Sequence, residues 1–188
     1  MKFIREFLAQ PATTGAVAPS SESLARTMVE NLGLDRAEAV LEYGPGTGVF
    51  TKFILEELKS DARFAAIEVN PEFAKIFKRR YPHVRLFQDT VANARIICDD
   101  AGMQSVDCII SGLPWAAFTE SMQTKFLDEM MRVLKPGGLF VTFAYLHGLA
   151  LPPARRFANL LPAYFTNVVK SRVVWLNVPP AFVYRCRR

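Results

Sequence analysis

Residues 40–48, Val-Leu-Glu-Tyr-Gly-Pro-Gly-Thr-Gly, constrain this chain more than any other stretch. Val40, Leu41 and Glu42 read as the end of a buried strand. Gly44, Gly46 and Gly48 follow at alternate positions, and an amphipathic helical run begins at Phe50. Glycines at such a turn let the backbone bend sharply and come close to a ligand, and the helix that follows offers free N–H groups at its start. Two familiar versions of the motif do not fit. A dinucleotide fingerprint, G-x-G-x-x-G, would place its third glycine at position 49, which is Val. The Gly-Lys-Ser/Thr triplet of a phosphate-cradling loop is absent.

From residue 39 onward strands and helices alternate. Strands are expected at Ala39–Glu42, Phe64–Val69, Val84–Phe87, Val106–Ile110 and Leu139–Tyr145, with two further β-rich runs at Asn167–Leu176 and Phe182–Cys186. Helices are expected at Phe50–Lys59, from an Asn70 cap and Pro71 to Arg80, weakly at Val91–Cys98, from Glu120 to Leu134 behind Thr119, and near Ala154–Leu161. Lys135-Pro136-Gly137-Gly138 reads as a turn. An earlier helix holds Leu24, Ala25, Met28, Val29 and Leu32 at a 3.6 period, with Ser20 or Ser21 as its cap and Gly33 at its end. The expectation is an α/β fold with a seven-stranded, mostly parallel sheet and helices on both faces. The 188 residues suit one domain, 1–188, without repeat or linker.

Ligands of such sheets bind at the carboxyl ends of the strands. The first strand ends at Glu42 and Tyr43, then Gly44, Pro45, Gly46, Thr47 and Gly48. The second ends at Glu68, Val69 and Asn70, with Glu68 spaced so that its carboxylate can accept from both hydroxyls of a ribose. The third ends at Gln88, Asp89 and Thr90, where Asp89 can accept from an adenine amino group. The fourth ends at Ser111, Gly112, Leu113, Pro114 and Trp115. Polar residues at three successive strand ends beside a glycine loop point to a nucleoside-bearing cofactor.

Cys98, Cys108 and Cys186 are odd in number and irregularly spaced, which fits reduced thiols and neither a disulfide frame nor a zinc site. His83 and His147 lie in no ligand spacing, so no metal is expected. The formal net charge of +5 is unevenly distributed. Residues 1–129 hold 14 basic and 18 acidic side chains, a net of −4, whereas 130–188 hold nine basic and no acidic ones. A one-sided basic segment favours an anionic partner, nucleic acid or lipid. No run is long and clean enough for a membrane span; the longest, Leu139–Leu151, contains His147 and Gly148. Residues 1–10 read as a short amphipathic helix ended by Pro11. Phe3, Ile4, Phe7 and Leu8 lie on one arc, suited to docking on the domain or on a membrane interface.

The opening Phe3-Ile4-Arg5-Glu6-Phe7-Leu8, the loop from Thr14 to Ser21, the Glu42–Thr51 glycine motif and Ser111-Gly112-Leu113-Pro114-Trp115 together resemble the bacterial phospholipid N-methyltransferases, as does Asn177-Val178-Pro179-Pro180-Ala181. These are Rossmann-like class I enzymes that use S-adenosylmethionine (SAM) and release S-adenosylhomocysteine. They methylate phosphatidylethanolamine or the amine of ornithine lipids. The resemblance implies that Glu42 serves the cofactor's amino acid end, with the glycines passing under it. It implies that residues 1–20 form an amphipathic helix and a lid loop, and that the carbonyls of Ser111 to Leu113 position the amine. Trp115, Phe118 and Tyr145 become candidates for an aromatic wall. No proton acceptor stands out; His147, Tyr145 and water are all candidates.

Ribosomal RNA adenine dimethyltransferases share the core and are the main alternative. Here Ser111 and Trp115 stand where they have Asn and Tyr, so no nucleic-acid partner is expected. A SAM-binding protein without catalysis is a third class. The resemblance further implies an aminolipid substrate, an anionic membrane surface, no obligate protein partner, and a cytoplasmic place at the inner face of the membrane.

Overall fold

The computed structural model describes residues 20–188, so the expected helix at 1–10 and the lid loop up to residue 19 lie outside the described residues. Seven strands form one sheet in the order β3-β2-β1-β4-β5-β7-β6. They are β1 (Ala39–Tyr43), β2 (Arg63–Ile67), β3 (Arg85–Phe87), β4 (Val106–Ser111), β5 (Leu134–Tyr145), β6 (Asn167–Lys170) and β7 (Ala181–Arg187). The pairings among β1 to β5 are parallel, while β7 runs antiparallel to both β5 and β6. Six α-helices among the described residues cover the faces: α1 (Glu22–Val29), α2 (Val49–Glu57), α3 (Pro71–Arg80), α4 (Ala94–Asp100), α5 (Glu120–Val133) and α6 (Pro152–Tyr164).

The helix starts follow the expected capping chemistry. Ser21 Oγ accepts from the Leu24 N–H, Asn70 Oδ1 from those of Glu72 and Phe73, and Thr119 Oγ1 from that of Met122. Pro71 occupies the first turn of α3, where its missing N–H costs nothing. β1 is buried along its whole length because it lies between β2 and β4. Its side chains alternate. Leu41 and Tyr43 join Phe126, Leu127, Met130, Phe140 and Phe157 beneath α5 and α6, and Val40 joins Leu24, Met28, Phe53 and Ile54 beneath α1 and α2. Burying each such side chain contributes about 1.5–3 kcal/mol.

Three boundaries differ most from the sequence expectation. α1 stops at Val29, four residues before Gly33, because Glu30 leaves the helical region with ψ 136° and Asn31 then takes a left-handed conformation with φ 60°. Lys135–Gly138 is not a separate turn before β5 but a bulge within it. Val106 faces Leu134 and Cys108 faces Leu139, so the intervening residues are looped out. The run Asn167–Leu176 is a strand only to Lys170; after it Ser171 N–H donates to the Val183 carbonyl (2.8 Å) and a lone bridge joins Val174 to Ala181. At the opposite end of the sheet Asp107 joins three elements. Its Oδ2 accepts from the N–H groups of Glu38 and Ala39, and its Oδ1 lies 2.7 Å from Lys135 Nζ. Burial would raise the Asp107 carboxyl, but the Lys135 ammonium and the two N–H donors hold it below the ordinary range.

Candidate active site

The carboxyl ends of β1 to β4 open into a cleft of about 820 Å³, counting its mouth. Backbone bonds continue the sheet into its walls. Gly44 N–H donates to the Ile67 carbonyl (2.8 Å), Glu68 N–H to that of Phe87 (3.0 Å) and Gly112 N–H to that of Tyr43 (2.8 Å). Gly112 packs so closely that a Cβ there would lie 2.6 Å from the Gly44 carbonyl oxygen. Of the expected residues, Gly44, Gly46, Glu68, Val69, Asp89, Thr90, Gly112, Leu113 and Pro114 line this cleft.

Glu68 is the carboxylate at its centre, only 4% exposed. Its Oε2 accepts from Gly46 N–H (3.0 Å) and its Oε1 from Asn70 N–H (2.8 Å). Burial raises its pKa, and the N–H donors of Asn70, Gly46 and Val69 counter that. Each oxygen keeps acceptor capacity for a hydroxyl. Asp89 is held by Asn93, whose Nδ2 donates to both carboxylate oxygens at 3.0 and 3.1 Å, and by the Thr90 N–H at 2.7 Å. Thr90 Oγ1 in turn accepts from the Ala92 N–H.

Glu42 lies one layer below the cleft. It is fully buried on the α2 side of β1, and Thr51 Oγ1 donates to its Oε2 at 2.7 Å. Its Oε1 has no partner. Burial pushes the carboxyl up to about 8, with the Thr51 hydroxyl working against that and the Glu68 charge with it. Gly48, with φ 83°, caps α2 through its backbone, and Tyr81 donates its hydroxyl to the Gly48 carbonyl at 2.8 Å. A Cβ on Gly48 would lie 2.2 Å from the Tyr81 ring, so only glycine allows this packing.

The strand-four motif divides. Leu113 and Pro114 face the cleft, whereas Ser111 and Trp115 lie beneath it, 0% and 3% exposed. Ser111 Oγ accepts from Trp115 Nε1 (3.1 Å) and from Leu113 N–H (3.3 Å). The indole stacks on Phe157 with centroids 4.6 Å apart. Trp115 therefore does not form the expected aromatic wall. Phe73, Phe118 and Phe126 line the cleft instead, and Phe118 stands edge-on to both Phe126 (5.3 Å) and Trp115 (5.9 Å).

Other expected residues lie off the cleft. Tyr43 is in the core, its hydroxyl unpartnered, and burial holds its pKa well above the ordinary range. Pro45 and Thr47 are outside the lining, Asn70 is a helix cap, and Gln88 is exposed on the rim side of β3. Tyr145 stacks on His147 at 5.6 Å and meets Phe143 edge-on, away from the lining. Sequence reasoning missed Thr51, Phe73, Tyr81, Asn93 and Phe126. Thr51 and Asn93 carried a signal, since each follows a key acid within one turn of the next helix.

A methyltransferase domain model matches residues 40–138. The ornithine lipid N-methyltransferase of Singulisphaera acidiphila is 30% identical over 188 residues, spanning 98% of this chain and 94% of its own. The chain belongs to the bacterial phospholipid N-methyltransferase family. This methyltransferase shares its fold with an O-methyltransferase from Bacillus cereus in complex with S-adenosylhomocysteine, at TM-score 0.68 and 14% identity over 100% of this chain and 89% of the other. The ribosomal RNA small subunit methyltransferase A of Chlorobium phaeobacteroides is 35% identical, over 61% of this chain and 41% of its own length. SAM is the methyl donor of this enzyme.

The residues present fit that cofactor. Gly46, with φ 56°, has nothing within 4 Å of where a Cβ would stand, so its backbone faces open space. Glu42 Oε1 is a buried acceptor without a donor. Glu68 and Asp89 supply acceptors at two further strand ends.

Proposed function

We propose that this enzyme transfers methyl groups from SAM to the amine of a membrane-lipid headgroup, phosphatidylethanolamine or a related aminolipid. The similarity to an ornithine lipid N-methyltransferase over almost the full length of both chains carries the reading. The cleft's chemistry supports it. Its acids cluster with the glycine loop, and its other wall is apolar, built from Leu113, Pro114, Ala117, Phe118 and Phe126.

In this reading Glu68 accepts from the ribose hydroxyls, Asp89 from the adenine amino group, and Glu42 serves the cofactor's amino acid end from the buried layer below the cleft. Bound SAM supplies a methyl group on a sulfonium, a leaving arrangement that needs no metal and no covalent enzyme intermediate. The protein's part is alignment, worth up to roughly 7–11 kcal/mol in favourable cases. The attacking nitrogen must be neutral. For an amine with pKa about 10, deprotonation at pH 7 costs about 4 kcal/mol, and the apolar wall lowers that cost by disfavouring the ammonium.

Three carbonyls can orient the amine, and two are engaged. That of Ser111 accepts from Thr142 Oγ1 (3.1 Å) and that of Leu113 from the Trp115 N–H (3.0 Å). The Gly112 carbonyl has no donor among the described residues and takes the amine N–H, pointing the lone pair into the cleft. Phe118 and Phe126 present aromatic surface to the methylated ammonium that forms. That product keeps a proton, so any further methylation begins with its loss.

The apolar arc of residues 1–10 and the acid-free stretch 130–188 support a position for the enzyme on the anionic inner face of the cell membrane, as one catalytic unit. The test incubates the protein with methyl-labelled SAM and either phosphatidylethanolamine vesicles, ornithine-lipid vesicles, or under-methylated small-subunit RNA. Label is expected as methylated headgroup. Label in adenine with none in either lipid would overturn the acceptor assignment and leave the cofactor site standing.

A further inference from the structure

The tip of the connection from β6 to β7, residues 175–178, leaves its apolar side chains outside and buries its polar one. Trp175 is 68% exposed, Leu176 80% and Val178 76%, while Asn177 among them is 3% exposed. Asn177 pegs the loop. Its Oδ1 accepts from Ser21 N–H at 2.9 Å, and its Nδ2 donates to the Pro179 carbonyl at 2.7 Å. Paired backbone bonds between Val174 and Ala181, at 2.7 and 3.4 Å, close its base, and Ser171 Oγ accepts from Val183 N–H at 2.9 Å. Leu146, 36% exposed, is tied alongside by its N–H to the Pro180 carbonyl (2.8 Å). A single exposed leucine is ordinary; three neighbouring large apolar residues on one tied-down tip mark an interaction surface.

Position and charge say what it meets. β7 is antiparallel to β5, so Ala181 lies beside Tyr145 at the carboxyl end of β5, the end of the sheet at which the cofactor cleft opens. β7 is two strands from β4, about 10 Å at the usual spacing. Residues 130–188 contain no acid. Within them Arg155, Lys170 and Arg172 make no ion pair among the described residues. An indole with aliphatic neighbours, attended by unpaired cations, is the chemistry of an anionic membrane interface, where tryptophan sits at headgroup level. An apolar protein groove would leave those cations unanswered.

We propose that the Trp175–Val178 loop is a membrane-insertion element whose three apolar side chains enter the headgroup–acyl boundary of an anionic bilayer, with Arg155 and Arg172 pairing to lipid phosphate. It turns the cleft end of the sheet toward the lipid. The choice of a bilayer rests on the lipid-amine reading, but the test reads binding and needs no turnover.

Trp175 reports on itself, because the only other tryptophan, Trp115, is 3% exposed. The full-length protein is mixed with vesicles of phosphatidylglycerol and acyl-brominated phosphatidylcholine in equal parts. Emission is expected to shift to the blue and be quenched, and Trp175→Phe should abolish both. The triple variant Trp175→Ser, Leu176→Ser, Val178→Ser should bind vesicles at least roughly tenfold more weakly, with SAM affinity unchanged by calorimetry. Co-sedimentation without quenching, or a triple variant that binds like the parent, would overturn the proposal. So would a parent dimer that the triple variant dissociates, since a second copy then covers the loop. A red shift of Trp175 in buffer after removal of residues 1–10 would likewise overturn it, by showing that the chain's own N-terminal stretch covers the loop. Quenching with no label in lipid would support insertion and sink the lipid-amine reading alone.

Discussion

Glu42 has a fully buried carboxyl with one satisfied oxygen, and burial pushes its pKa up to about 8. In the unfolded chain the group returns to its ordinary value of 4.5. The folded state therefore binds the extra proton, and Glu42's contribution to stability is full below about 4.5 and lost as pH rises to about 8. Glu42→Gln keeps the shape and the acceptor for Thr51 but cannot ionise. Relative to the parent, the free variant should gain stability progressively from pH 4.5 to 8, by on the order of several kcal/mol, and then level off. Urea denaturation at four or five pH values would read this. A constant difference across that window would mean that Glu42 is already ionised in the fold.

The segment from β4 through its 3-10 turn (Trp115–Ala117) into α5 behaves as one unit. Ser111 Oγ satisfies the Trp115 indole N–H, and Gln123 Nε2 donates to the Trp115 carbonyl at 2.7 Å and to that of Pro153 at 3.1 Å. This ties α5 and the start of α6 to the wall of the cleft. Ser111→Ala would leave a buried N–H without an acceptor and should lower stability by about 1–3 kcal/mol. Trp115→Ala would empty the space between Phe118, Phe126, Phe140 and Phe157 and should cost about 3–5 kcal/mol. Denaturant midpoints check both. If Trp115→Ala lost turnover at unchanged stability, the indole would have to reach the reacting groups, against its burial here.

For the whole molecule, the three cysteines report on the integrity of the core. Cys98, Cys108 and Cys186 are free and buried, one on β4, one on β7 and one in α4. Burial pushes their thiols up to about 11, 12 and 12 respectively, so the thiolate is scarce at pH 7–8 and access requires opening. An aromatic disulfide reagent should therefore label no thiol in the native protein on the timescale in which it labels three in urea. Fast labelling of one site without urea would reveal local opening of its element. The alternating pattern from residue 39, the caps at Asn70 and Thr119, a cap at Ser20 or Ser21 and the glycine loop were all legible in the amino-acid order. So were Glu68 and Asp89 at the strand ends, because period, capping and turn chemistry are local properties. What the order left open was decided by three-dimensional neighbours. Trp115 went beneath the cleft because Phe157, from a helix more than thirty residues later in the numbering, stacks on it, and Phe73 and Phe126 reached the wall because α3 and α5 pack on opposite sides of one cleft. The exposed Trp175 loop is likewise a tertiary result, since Asn177 is drawn inward by the distant Ser21 N–H and its apolar neighbours are left facing out. Local order names the elements and their polar ends; which face of a side chain meets ligand, core or solvent depends on contacts between residues far apart in the chain.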